Sequence, residues 1–195
     1  MKQLKIRDDP ELVWKIYAGI CSFVSQIAQK SDIFTDLIQS IFSFDWNMDL
    51  KIIVAFINLL CQLISADAVF LIQSLRIVVK GFLIKLPTES QGMPIGEVHR
   101  IFREKRMRLH QCLRNMITMV PTGQAELLPI LAANFPYKRS GQEATVSYVT
   151  QVLHVCEYLP LLQPKLLELV IEKCLEIDVE IVIEDTGEVW KLFLK

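Results

Sequence analysis

The side chains best suited to metal binding or proton transfer are three histidines, His99, His110 and His154. His99 and His110 stand three helical turns apart and would share a face, but no cysteine or carboxylate joins them at ligand spacing. The thiols are Cys21, Cys61, Cys112, Cys156 and Cys174, each inside an apolar run and none in a C-x-x-C pair. That pattern reads as reduced core cysteines of an intracellular protein rather than a zinc site or a disulfide framework. Neither a nucleophile elbow, a phosphate-cradling glycine loop, a zinc-protease helix nor a dinucleotide fingerprint occurs. No enzyme, cofactor, metal or small-molecule substrate is expected.

The strongest charge feature is Arg100, Arg103, Lys105, Arg106, Arg108 and Arg114, set against only Glu97 and Glu104. One reading is a solvated helix face whose long stems cover apolar neighbours. The other is a docking stripe, with Arg100, Arg103, Arg106 and Arg108 as the contact candidates for an acidic partner surface or for phosphate. Phe102 is the only ring among them, which disfavours direct binding of single-stranded nucleic acid by stacking. Ser22, Ser25, Ser31, Ser40 and Ser43 are scattered over the first two predicted helices. Thr122, between Pro121 and a new helix, is a phosphorylation candidate, because added charge there would meet a helix N-terminus.

These groups have to be positioned by helices. The chain has 195 residues and is 52% hydrophobic, enough for a continuous core, and its 7 glycines and 8 prolines favour long elements over many short strands. The formal net charge of −1 gives no global pull toward nucleic acid or membrane. Asp9-Pro10-Glu11 opens a helix along Leu12, Ile16, Ile20, Phe23 and Ile27. Further helices are expected from Ser31 to Phe44, Asn47 to Ile64, Asp67 to Ile84, Ile95 to Met119, Gln124 to Asn134, Gln142 to Glu157 and Gln163 to Glu176. Ile52 to Leu86 is very apolar, yet Asn58, Gln62, Ser65 and Asp67 interrupt it, so it reads as two buried helices joined by a capped turn and not as a membrane span. Leu86 to Pro94 reads as a loop.

The expected fold is therefore all-α: about eight helices in antiparallel pairs recurring every 35 to 45 residues, as in a HEAT- or armadillo-like helical repeat solenoid. A globular helical bundle is the alternative. The helical repeat domain would occupy residues 1–178, followed by a short non-helical tail over 179–195 that forms a hairpin or belongs to a truncated continuation. The start, MKQLKIRDDPE, has no apolar signal-peptide core. Trp190, Leu192 and Phe193 at the other end lack the polar cap of a finished solenoid, which suggests a truncated chain.

Two stretches carry a resemblance. Leu127 to Arg139, LLPILAANFPYKR, and Tyr148 to Val179, YVTQVLHVCEYLPLLQPKLLELVIEKCLEIDV, resemble the RNA polymerase I-specific transcription initiation factor family in order and spacing. Val54 to Phe70 is similar to the preceding helix pair of that family, so the likeness covers about two thirds of the chain. It implies a HEAT-repeat factor without enzymatic activity, acting in the nucleus and nucleolus. Such a factor would bind RNA polymerase I, link it to promoter-bound initiation factors at ribosomal RNA genes and respond to phosphorylation. It also implies no sequence-specific nucleic-acid contact and no membrane. Family members are longer, so this chain resembles an N-terminal piece or short isoform. Many carry an acidic insertion where Pro87 to Pro94 here is nearly neutral. The competing reading is a generic HEAT-type protein-interaction scaffold without polymerase contact.

Overall fold

The computed structural model describes residues 9–84, 94–137 and 140–177, which are helical without a strand among them. The expected loop over 86–94, apart from Pro94, and the tail over 179–195 lie outside the described residues. The helices are α1 (Pro10–Cys21), α2 (Val24–Gln29), α3 (Thr35–Ile41), α4 (Leu50–Ala66), α5 (Leu71–Lys80), α6 (Ile95–Met119), α7 (Gly123–Ala133), α8 (Gln142–Tyr158) and α9 (163–177). Single 3-10 turns over Ala68–Phe70 and Gly81–Leu83 flank α5. The chain divides between Ile130 and Leu131, within α7, into two compact units.

In the first unit the helix starts are chemical. Asp9 Oδ1 accepts the Glu11 and Leu12 N–H groups at 3.0 and 3.2 Å, with Pro10 in the first helical position, where its missing donor costs nothing. Asp49 caps α4 through the Lys51 N–H at 2.8 Å, and Asp67 ends α4 and starts the next turn through the Val69 N–H at 2.9 Å. One expected helix is two. The backbone leaves α-geometry at Phe23, just after Ser22 closes α1, separating α1 from α2. The expected apolar line turns inward only in part. Ile27 is buried and Ile20 half-buried, whereas Leu12, Ile16 and Phe23 are exposed and Val13 and Val24 are buried in their place, because packing on α4 selects the line that turns inward.

Helix α4 is the centre of this unit. It packs against α1, α2, α5 and α6 and buries Ile52, Ile53, Ala55, Phe56, Leu59, Leu60, Leu63 and Ile64. Each large side chain so removed from water contributes on the order of 2 kcal/mol. Phe56 stacks on Phe44 with centroids 3.8 Å apart, while Tyr17 and Trp46 meet both rings edge-on. Trp46 donates its indole N–H to the Ile77 carbonyl at 2.8 Å, tying the segment before α4 to α5. Gly81 follows α5 where Leu109 of α6 and Trp46 converge. A Cβ there would lie 2.7 Å from Leu109 Cδ2 and 3.0 Å from Trp46 Cε2.

The second unit contains the end of α7, then α8 and α9. Pro129 lies inside α7, and the helix ends at Ala133, where the Phe135 N–H bonds Ala132 O at 3.3 Å. The Leu131 carbonyl is thereby denied the donor a continued helix would supply. Tyr148, fully buried on α8, donates its hydroxyl to that carbonyl at 2.7 Å, and Phe135 meets its ring edge-on at 5.4 Å. Gly141, at φ +89°, turns the chain into α8 in a conformation most side chains avoid.

Candidate functional site

The arginine-rich half of α6 is the most distinctive surface, and the helical period sorts its charges. Arg100 donates to Glu97 at 2.6 and 2.9 Å and lies 3.8 Å from Glu104, which in turn faces Arg108 at 3.5 Å. This is a ladder of i,i+3 and i,i+4 pairs along one side of the helix. The hydrogen-bonded Arg100 holds the Glu97 carboxyl below its ordinary value, and Glu97 in turn raises Arg100. Arg106 lies over the Phe102 ring at 4.2 Å, and burial lowers its pKa. Arg103 is exposed. The four candidates do not form one line: Arg100 and Arg106 flank Arg103 on opposite sides, and Arg108 lies about 140° round the helix from it.

Lys105 turns the other way. Its ammonium, half-buried and lowered in pKa by that burial, donates to the Met48 carbonyl at 2.7 Å near Asp45 and Asp49. It fastens α6 to the segment before α4 and is not available to a partner. Arg114 is exposed three turns beyond Arg103 and shares its face. Arg114 is one of the charges of the sequence pattern but not one of its four contact candidates, and its spacing from Arg103 is the signal that places the two together.

The histidines separate despite their common face. His99 is exposed, whereas His110 is buried and stacked on Phe82 at 5.0 Å, because only the second half of α6 is buried against neighbours. No group of three or more potential metal ligands gathers among the described residues. The cysteines are all free, but only Cys112 is buried, and Cys174 is exposed. Cys112 and Cys61 meet across the α4–α6 packing. The shared hydrogen bond and burial push the Cys112 thiol up, while the same bond lowers Cys61. Ser22, Ser25, Ser40 and Ser43 are exposed, though Ser43 spends its hydroxyl on Gln39 O at 2.9 Å, and Ser31 is half-buried. Thr122 is exposed in the turn that leads into α7, its carbonyl accepting the Ala125 N–H at 3.2 Å.

In the second unit, Phe135, Pro136, Tyr137, Lys173 and Glu176 line a shallow cleft of about 140 Å³, with Lys173 bound to Glu176 at 2.7 Å. Ligand pockets usually begin at roughly 300 Å³. Among the described residues no helix is long and apolar enough to cross a membrane.

Residues 7–189 match the family model described as RNA polymerase I specific transcription initiation factor RRN3. The chain is 28% identical over 189 residues to the RNA polymerase I-specific transcription initiation factor RRN3 of Mus musculus, covering 92% of this chain and 27% of the relative. It is 31% identical over 91 residues to the factor of that name from Schizosaccharomyces pombe, covering 44% and 15%. The chain therefore spans about a quarter or less of the length of these relatives. The crystal structure of RNA Polymerase I Transcription Initiation Factor Rrn3 superposes with a TM-score of 0.73 at 23% identity, over 96% of this chain and 35% of that one. That likeness is one of fold, and it supports the helical repeat architecture over an unrelated bundle.

Proposed function

The chain belongs to the family of the RNA polymerase I specific transcription initiation factor RRN3, and from that membership we propose that it binds RNA polymerase I and promotes its recruitment to ribosomal RNA gene promoters. The observation that carries this reading is the family match across residues 7–189, nearly the whole chain. A general scaffold would share the core pattern but would not need this family's sequence. The chain acts by binding, in the nucleus and within it the nucleolus, and it performs no reaction. Its other partners are promoter-bound initiation factors, and neither a membrane nor a specific nucleic-acid sequence is recognised.

Binding would draw on a few apolar anchors, with charge setting orientation and approach. Arg100, Arg103, Arg106 and Arg108 are the contact candidates on α6. Reversing all four should slow association markedly, and unchanged association would return them to the role of a solvated face. Thr122 is the phosphorylation candidate, since a phosphate there would sit at the positive end of α7. Mass spectrometry of the chain from growing cells should find it modified, and its constant absence would remove that part.

The deciding experiment mixes the purified, tagged chain with RNA polymerase I and, separately, with RNA polymerase II at moderate salt. Selective retention of polymerase I is expected. Retention of both enzymes equally, or of neither, would refute docking by this chain.

A further inference from the structure

The arginines of α6 fall into two classes that counting charges does not separate. Arg100 and Arg108 already face carboxylates, those of Glu97 and Glu104. An incoming anion would have to compete with these local partners. Arg103 and Arg114 are exposed and face no carboxylate among the described residues. They stand on one side of the helix, about 16 Å apart along its axis. Between them, one turn beyond Arg103, is Met107, which is 53% exposed. A thioether there can follow the shape of an apolar side chain set against it.

This combination fits a protein better than a nucleic acid. A phosphate backbone would gain from the two guanidiniums but would have no use for an exposed apolar side chain in the middle of the line. A single strand would want open aromatic faces. Phe102, the ring nearest these arginines in sequence, carries the Arg106 guanidinium over it at 4.2 Å. Charge complementarity sets the sign of the partner, and Met107 sets its character.

We infer that Arg103, Met107 and Arg114 form a docking line for an acidic protein segment that places an apolar side chain between two carboxylate groups. The inference deepens the docking reading above and depends on it for the polymerase as partner, but not for the surface itself. Arg100 and Arg108 are peripheral to the line, held in the ladder with the helix's own glutamates.

The test uses the full chain and a fluorescein-labelled twenty-residue peptide of glutamate with leucine at every fourth position, read by anisotropy at low and moderate salt. A twenty-nucleotide oligothymidylate serves as the second probe. Arg103→Gln/Arg114→Gln and Arg100→Gln/Arg108→Gln remove the same net charge, so they separate position from charge. The first pair should weaken the peptide about tenfold at low salt and the second less than about twofold, as expected when only open charges steer and hold a partner. Met107→Ser should weaken the peptide without changing its salt dependence. Equal losses in the two pairs, no binding of the peptide by the wild type, or tighter binding of the oligothymidylate would each overturn the inference. Retention of polymerase I, measured on the same variants, keeps the two readings apart. Peptide binding that depends on Arg103 and Arg114 sustains the surface even if polymerase I is not retained, and then it is the docking reading that fails. Polymerase I retention beside equal peptide losses overturns the surface and leaves docking intact.

Discussion

Tyr148→Phe removes one oxygen from the middle of the second unit and leaves almost everything else in place. The hydroxyl is buried and donates to Leu131 O at 2.7 Å, where the end of α7 supplies no other donor from Phe135. Loss of the hydroxyl strands a buried carbonyl, which costs about 1–3 kcal/mol, beyond the value of an average exchanged hydrogen bond. For a chain of this size that is roughly 2–12 °C in Tm. Burial also pushes the Tyr148 phenol well above its ordinary value. The phenol is neutral when protonated, so the folded state holds the proton above pH 10 while the unfolded state begins to release it. The wild type's advantage should therefore be complete below pH 10 and shrink above it, by about 1.4 kcal/mol per pH unit. The variant's phenyl ring cannot titrate, and the remaining tyrosines cancel between the two proteins. Urea unfolding followed by far-ultraviolet circular dichroism at pH 7, 9 and 11 would measure both effects. A variant within about 0.3 kcal/mol of wild type at pH 7, or a gap that stays constant to pH 11, would refute the reasoning.

Three further outcomes can be checked directly. Gly81→Ala should destabilise the first unit by about 1–3 kcal/mol in urea unfolding, because its Cβ would meet Leu109 Cδ2 at 2.7 Å in a closed site, outweighing the helix-propensity gain. Trp46→Phe should cost about 1–3 kcal/mol, losing the bond to Ile77 O and part of the aromatic cluster; a smaller change would mean that Phe44 and Phe56 close the gap. In timed alkylation of the native chain, Cys174 should be labelled early and Cys112 last, since one is exposed and the other is buried with its thiol pushed up. The reverse order in peptide mapping would contradict the α4–α6 packing.

Much of the fold is local and therefore readable. Asp9, Asp49 and Asp67 announce helix starts because a short carboxylate beside free N–H groups has few better uses, and all three cap as such residues should. The break at Ser22 and Phe23 is not readable from period alone, since Ile20, Val24 and Ile27 keep their spacing across it. The expected line of α1 turns inward only in part, for a related reason. Leu12 and Ile16 are as apolar as Val13, and only the position of α4 decides between them. At the candidate surface, the pairing of Glu97, Arg100, Glu104 and Arg108 was available from their spacing. The descent of Lys105 onto Met48 O and the meeting of Cys61 with Cys112 join residues far apart in sequence, and periodicity does not report such contacts.

The central place of α4 has a consequence for motion. Its amides are screened by α1, α2, α5 and α6 together, so no single neighbour can peel away and expose them all. Their protons should trade with solvent only when the whole first unit opens, at one shared slow rate, while α1 and α2 exchange in brief independent excursions. Substitutions along α4 would then lower the protection of every neighbour at once. Substitutions on the outer face of α6 would leave that shared rate untouched, which leaves that face free to diverge without loosening the unit beneath it.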